Sequence, residues 1–215
     1  MPSSVAVIII NYGTADLAIA AVESVLGRSH NGHLVEIHLL DNASPSGDGA
    51  VLAEAHAQRR WGERVTLWLE AENHGFGRGN NIVLHALTKR AAPPDYVFLL
   101  NPDAQLENEA IAILADRLDG APQAAAAGAG IALPSGLPVT AAFRFPSPWS
   151  EFVQALNFGP VSRLFRDRLV PLPMDHPDGP VDWVSGAAVM MRLEVVREMG
   201  GFDPDFFLYY EEVEL

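Results

Sequence analysis

Residues 96–104 read YVFLLNPDA, and this stretch decides the fold. Tyr96 through Leu100 are apolar enough to predict a buried strand. The proline cannot continue a central ladder, so the strand stops at Asn101. Asp103 then stands just past a strand's carboxyl end, where open α/β sheets place their ligands. The same three residues, Asn101-Pro102-Asp103, also suit a loop that opens the next helix, with Asp103 or Asn108 near its N-cap. The segment alone leaves both readings open.

Working outward, strands and helices alternate. Val5–Ile10 is a short β-branched run typical of a strand buried on both faces. Thr14–Arg28 carries a helical stripe of Leu17, Ala20, Ala21 and Val25. Leu34–Leu40 predicts a second strand, about Asp48 to Arg60 a helix, and Val65–Leu69 a third strand. Asn73–Asn81 reads as a glycine-bearing turn leading into a helix with Val83, Ala86 and Leu87 on its core face. After the 96–100 strand comes a helix with Ala110, Ile113, Leu114 and Leu118 on one face. Ala124–Leu133 reads as one further strand. Strands separated by helices at this spacing mean βαβ units and a mainly parallel sheet. Right-handed crossovers then bring Asn11-Tyr12, Asp41-Asn42, the 72–79 turn and Asn101–Asp103 to one crevice.

From Pro134 to Gly179 prolines are frequent and no period holds; short helices are expected around Trp149–Asn157 and Val161–Arg168. Val181–Arg192 returns to strand character, followed by a short helix Leu193–Met199. The chain ends on FFLYYEEVEL with neither polar tail nor cap, which reads as a fold cut short.

Composition narrows the function classes. Hydrophobic content of 49% with 19% charged residues is ordinary for a globular chain of 215 residues. Fourteen Lys and Arg against 27 Asp and Glu give a net charge of −13, a poor basis for binding nucleic acid. An anionic small molecule remains compatible, because a bound cation or helix N-termini reverse the local field. The absence of cysteine excludes disulfides, thiolate metal sites and cysteine nucleophiles, and fits a reducing cytosol. No signal peptide and no apolar run of membrane-spanning length is present. There is no G-x-S-x-G elbow and no H-E-x-x-H.

Each local constellation has a functional and a structural reading. Asp41-Asn42-Ala43-Ser44 offers a carboxylate, an amide and a hydroxyl to a nucleobase and ribose, or else an Asx turn that caps the next helix. Asn73-His74-Gly75-Phe76-Gly77-Arg78-Gly79-Asn80-Asn81 matches neither a dinucleotide nor a Walker fingerprint. Its glycines allow close backbone approach to a diphosphate, or simply a tight connection. Asn80 and Asn81, poor helix formers placed in the first turn, favour function. Asn101 and Asp103 supply hard oxygens for a divalent cation, but only one acid. Trp183, Ser185 and Gly186 combine an aromatic face with small residues, suited to a sugar ring or to a packed core strand. Glu211, Glu212 and Glu214 beside Phe206, Phe207, Tyr209 and Tyr210 form either a partly desolvated base or a solvated acidic helix turn.

The order of the pieces is more specific than any one of them. VAVIIINYG, LLDNASPSG, ENHGFGRGNN, VFLLNPDA, VDWVSGAAVMMR and GGFDPDFFLYYEEVEL together resemble the family-2 glycosyltransferases of GT-A fold, especially rhamnosyltransferase-like members. The resemblance implies a Rossmann-like, mainly parallel central sheet flanked by helices, with a smaller acceptor-side subregion. It implies a nucleotide-sugar-binding half over 1–133 and an acceptor and catalytic half over 134–215. Asn11 and Tyr12 match the first-strand edge of the nucleotide pocket, and Asp41 the acid contacting base or ribose. Asn73, Gly75, Phe76 and Asn80 match the glycine motif beside the diphosphate. Asp103 matches the last acid of a degenerate D-x-D metal motif, with Asn101 here in place of the first acid. Ser185 and Gly186 match the strand beneath the donor sugar and acceptor. Glu211-Glu212 matches the Glu-Asp pair whose second carboxylate is the general base, with Glu212 in place of the commoner Asp.

The activity so implied is inverting transfer of rhamnose or another hexose from a UDP- or dTDP-sugar to a saccharide or lipid-linked acceptor, with Mg2+ or Mn2+. Polysaccharide or cell-wall assembly at the inner face of the membrane follows, with peripheral membrane association of the full-length protein. A sugar-nucleotide nucleotidyltransferase would want a glycine-rich basic loop and a lysine, which Asn11–Ala15 lacks. An inactive nucleotide-sugar-binding fragment is the third reading.

Overall fold

The computed structural model describes residues 2–148, 170–172 and 179–203. Contacts divide the chain into one unit of residues 1–127 and 186–215 and another of 128–185.

The first unit is built on a six-stranded sheet. Its strands are β1 (Ser4–Asn11), β2 (Leu34–Asp41), β3 (Val65–Leu69), β4 (Tyr96–Leu100), β5 (Ala126–Gly128), which runs into the second unit, and β10 (Ala188–Arg192), in the order β3-β2-β1-β4-β10-β5. β3, β2, β1 and β4 are parallel neighbours, and β10 runs antiparallel to β4. The expected mainly parallel α/β sheet is therefore present. Helices α1 (Ala15–Leu26), α2 (Asp48–Gln58), α3 (Gly75–Thr88) and α4 (Ala110–Asp119) intervene between strands, and α5 (Leu193–Met199) follows β10. Their dominant contacts are with the sheet and with each other.

β1 and β4 are buried because each has a strand on both sides. Val5 to Ile10 and every residue of β4 are shielded from solvent. Each fully buried Ile, Leu or Phe contributes about 1.5–3 kcal/mol, so this core needs no cross-link. β1 lies between β2, reached through α1, and β4, which sits on its other side. The order of connection reverses there, which makes the β1/β4 carboxyl edge the switch point of the sheet.

Several helical faces differ from the expected stripe. In α1 the buried residues are Ala18, Ile19, Ala21, Val22 and Val25, while Leu17 is exposed. In α4 Ile111, Ala112, Leu114, Ala115 and Leu118 are buried and Ile113 faces out. In both cases the stripe was drawn about one residue off the axis that meets the sheet, a 100° error on a helix. Ala124–Leu133 is not one strand. It splits into β5 and the short β6 (Ile131–Ala132), because Ala129-Gly130 breaks an alanine run with little strand preference. Val181–Arg192 likewise divides into β9 (Trp183–Val184) and β10, with Ser185–Ala187 carrying the chain from one sheet to another. The helices expected around 149–157 and 161–168 lie outside the described residues.

The second unit holds two small ladders. β6 pairs antiparallel with β7 (Pro138–Val139), and β8 (Ala142–Phe143) with β9. Trp183 stacks on Phe143 with ring centroids 4.1 Å apart. Gly128 is required here, since a Cβ would come within 2.7 Å of Val184 Cβ.

Between α1 and β2, His30 and Asn31 take left-handed φ values of 53° and 50°. Glu109 holds them there: its carboxylate accepts the His30 N–H at 2.7 Å and the Ser29 N–H at 3.3 Å. Glu109, not Asp103 or Asn108, occupies the N-cap position of α4, and its side chain makes no cap bond. The buried His30 ring meets the Val25 carbonyl through Nε2 at 3.0 Å, and Nδ1 has no partner among the described residues. Burial holds this imidazole below its usual pKa of 6.5, although the Val25 bond and the Glu109 charge pull upward. The unfolded chain therefore takes up the proton first as pH falls past about 6.5, and His30 withdraws stability in acid. Thermal melts between about pH 7.5 and 5.5 should fall more steeply for the wild type than for His30→Asn, which tolerates the same φ. Parallel melting curves would contradict this.

Candidate functional site

The site is built where β1 and β2 end. Register pairs Asn11 with Asp41. Asn11 is fully buried, and its Nδ2 lies within donating distance of Asp41 Oδ1 (2.9 Å), Asp48 Oδ2 (3.0 Å) and Ser44 Oγ (3.2 Å). Its Oδ1 accepts from the Thr14 amide at 3.2 Å and hydroxyl at 2.9 Å. Asp48, on the first turn of α2, also accepts the Ala15 amide at the start of α1. One carboxylate thus joins the N-termini of two helices, where negative charge is favoured. Hydrogen bonds from Asn11 and then from Ser46 lower the Asp48 pKa against the burial that would raise it. Asp41 accepts the Ser44 hydroxyl at 2.5 Å on Oδ1, while Oδ2 receives one long bond, 3.4 Å from Ser44 N.

Asn42 links this pair to the next element. Its Nδ2 donates to Asn73 Oδ1 and the Gly75 carbonyl, and its Oδ1 accepts the His74 amide, each at 3.0 Å. The glycine segment is not a turn ahead of the helix but the start of α3 itself, which begins at Gly75. Burial outweighs the helix cost of glycine: Gly75, Gly77 and Gly79 are all buried, and Gly79 lies against Ile10 and Asn42. Asn80 and Asn81 therefore sit in the second turn. Asn80 Nδ2 donates to the Phe76 carbonyl at 3.0 Å, and its buried Oδ1 has no partner among the described residues.

Asn81 does something the sequence did not signal. It donates to the Phe202 carbonyl at 2.7 Å and accepts the Phe202 amide at 2.9 Å, so one side chain satisfies both backbone groups of a single residue. Gly201, at φ 88°, leaves no room for a side chain against Asn81 Oδ1. Phe76 meets Phe202 edge to face at 6.1 Å.

On the other side of β1, the Ala104 amide bonds the Asn101 carbonyl at 3.0 Å, closing a tight turn that carries Asp103 into solvent. Ile8 is level with Leu99. The ladder ends there, and the Asn101–Asp103 turn follows at the carboxyl end of β4, the strand next to β1 in the sheet. Tyr12 is half-exposed at the same edge. Asn11, Tyr12, Asp41, Asn73, Gly75, Phe76 and Asn80 therefore gather at the ends of β1 and β2, with Asn101 and Asp103 adjacent. Asp103 is an exposed carboxylate, and among the described residues no three His, Asp or Glu side chains form a ready cation cage.

Trp183 and Ser185 belong to the second unit and Gly186 to the first. One face of Trp183 is covered by Phe143, its Nε1 donates to the Arg144 carbonyl at 3.1 Å, and the Ser185 amide bonds Ala141. Glu211 and Glu212 lie outside the described residues. Asn42, Ser44, Asp48 and Asn81 were not singled out as partners; Asn42 and Ser44 carried a signal inside the 41–44 segment and Asn81 as a poor helix former, while Asp48 carried none.

Against known proteins, the model of the family described as Glycosyl transferase family 2 matches residues 6–140, more than half of the sequence. The chain belongs to that family. An N-acetylglucosaminyl-diphospho-decaprenol L-rhamnosyltransferase of Mycobacterium tuberculosis is 29% identical over 194 residues, covering 84% of this chain and 59% of that protein. Rhamnosyltransferase WbbL of Escherichia coli is 24% identical over 148 residues, covering 66% and 53%. This family-2 chain thus spans little more than half the length of these relatives. Its fold matches that of the mannosyltransferase PcManGT from Pyrobaculum calidifontis in complex with GDP-Man and Mn2+ (TM-score 0.57, 19% identity, 95% of this chain and 49% of that one). It also matches GalNAc-T7 with UDP, GalNAc and Mn2+ (TM-score 0.63, 14% identity, 99% and 39%). The architecture is GT-A. No helix among the described residues is long and apolar enough to cross a membrane.

Replacing Asn42 by Ala removes three bonds and strands buried groups of the 73–75 segment. We expect a loss of about 2–3 kcal/mol in urea unfolding, with increased protease cleavage near Asn73. An unfolding midpoint equal to wild type would show that the link is dispensable.

Proposed function

We propose that this chain carries the donor-binding and catalytic part of an inverting glycosyltransferase, moving rhamnose or another hexose from a nucleoside-diphosphate sugar to a saccharide or lipid-linked acceptor. The observation that carries the reading is the flanking of the β1 end by Asp41 on one side and the Asp103 turn on the other, in a chain of this family. Residues 1–133 form the nucleotide-sugar half and 134–215 the acceptor half. Asn11 orients Asp41, whose Oδ2 is left to accept from base or ribose. Tyr12 lines the same edge, and the N-terminal turn of α3, with Asn73, Gly75, Phe76 and Asn80, faces the diphosphate. Trp183, Ser185 and Gly186 support the donor sugar.

Asp103, with Asn101 beside it, fits a Mg2+ or Mn2+ ion of the kind that takes one carboxylate and completes its shell with water and substrate phosphate. Such an ion supplies charge neutralisation for the departing diphosphate. Glu212 takes the proton of the acceptor hydroxyl as its oxygen attacks the anomeric carbon. The nucleoside diphosphate leaves from the opposite face with the bonding electron pair, so configuration inverts in one displacement. Glu211 is the second candidate for that base. The chemistry belongs at the cytoplasmic face of a membrane, where the full-length protein associates peripherally with its lipid-linked acceptor.

Calorimetric titration of UDP- and dTDP-sugars with Mn2+ or Mg2+ tests the reading. No nucleotide binding with or without metal would sink it, and binding followed by pyrophosphorolysis would point to a nucleotidyltransferase instead. Asp103→Asn should weaken nucleotide binding about tenfold in Mn2+ and leave binding in chelator unchanged; an unaltered metal dependence would remove Asp103 from its role. Glu212→Gln in the full-length enzyme should lower transfer by about 100-fold or more at near-normal donor affinity. Wild-type turnover would move the base to Glu211.

A further inference from the structure

The β6–β7 hairpin presents a continuous exposed, uncharged surface. Every residue from Ala132 to Val139 is exposed, including Leu133 at 47% and Leu137 at 62%. Register pairs Ile131 with Val139 and Ala132 with Pro138, so Leu133 stands opposite Leu137 at the tip, and their backbones bond at 2.8 Å. Ile131, Val139, Leu133 and Leu137 thus share one face, and Ala132 and Pro138 the other. From Ala121 through Phe143 no side chain carries a charge, in a chain of net charge −13.

We propose that this hairpin docks the protein on a lipid bilayer, entering the headgroup boundary with Leu133 and Leu137 foremost. Three features favour lipid over a protein partner. A protein interface keeps a polar rim around its apolar centre, and here both faces and the tip are uncharged. Pro134 and Pro138 have no N–H, while the Leu133 and Gly136 amides are already bonded within the hairpin. The tip therefore carries fewer backbone donors that need water than an ordinary exposed loop of its length, which lowers the cost of burying it at the headgroup boundary. The same prolines blunt the strand edges, which opposes pairing with a second copy. An acidic chain would be repelled by an anionic surface, so a neutral apolar element is the appropriate point of contact.

The proposal gives the membrane-proximal part of the transferase reading a physical element, and vesicle binding without donor or acceptor tests it separately from transfer. The chain has no cysteine, so Ser135→Cys places one environment-sensitive fluorophore at the tip, with Glu63→Cys as a control on an exposed turn of the first unit. On phosphatidylcholine vesicles the Ser135 label should shift to the blue and be quenched by acyl-chain nitroxides, while the Glu63 label stays unchanged. Leu133→Ser/Leu137→Ser, exposed positions whose change should leave the melting temperature intact, should cut vesicle partitioning of the unlabelled chain by about tenfold per leucine, and binding should persist in about 0.5 M salt. An unresponsive Ser135 label, equal responses from both labels, or wild-type partitioning by the double variant would overturn the proposal. So would a blue shift that needs only higher protein concentration, which would assign the face to a second copy.

Discussion

The site hangs on the amide of Asn11. At the end of β1 it must satisfy two carboxylates and the β1–α1 loop from a position with no access to water. Taking an ionised carboxylate out of water costs several kcal/mol, and among the described residues neither Asp41 nor Asp48 has a basic partner. Donors offset the charge instead: Asn11 Nδ2 for both acids, Ser44 for Asp41, Ser46 and the Ala15 amide for Asp48. Since both polar ends of Asn11 are occupied, it orients Asp41 rather than presenting a free group. Asp103, in contrast, stands exposed on the turn after β4.

Much of the fold was legible because local and global signals agree. β1 and β4 hold continuous apolar runs that end at turn residues, and the helices between the strands have lengths and stripes that permit few topologies. The strand-end rule then collected Asn11, Asp41, the glycine segment and Asn101–Asp103 without any coordinates. The reading failed where packing overrode local preference. Glycines and asparagines argue against helix, yet α3 begins at Gly75 because the helix must approach Ile10 and Asn42 closely. Leu17 and Ile113 look like core in one dimension and face solvent in three.

The polar partners were illegible for a different reason. Asn42 bonds residues about thirty positions away, and Asn81 bonds Phe202, 121 positions away. Residue type announces only that an amide has donors and acceptors to satisfy, not which backbone it will meet. In that sense Asn81 and Gly201 form one feature written in two distant places: the glycine leaves the space that the amide fills.

This connection bears on how the proposed donor side and the last described turn act together. α3 is held at its first turn by Asn42 from β2, and at its second by Asn81 against Phe202. Phe76, one of the residues assigned to the donor, touches Phe202 directly. The Phe202 turn leads into the segment bearing Glu211 and Glu212. Residues in contact, or sharing a hydrogen-bond network, couple by about 0.5–3 kcal/mol rather than adding. Changes at Phe76 or Asn81 therefore disturb both the first turns of α3 and the Phe202 turn packed on them. Under the proposed reading, loss of donor affinity and loss of turnover in such variants share that one cause.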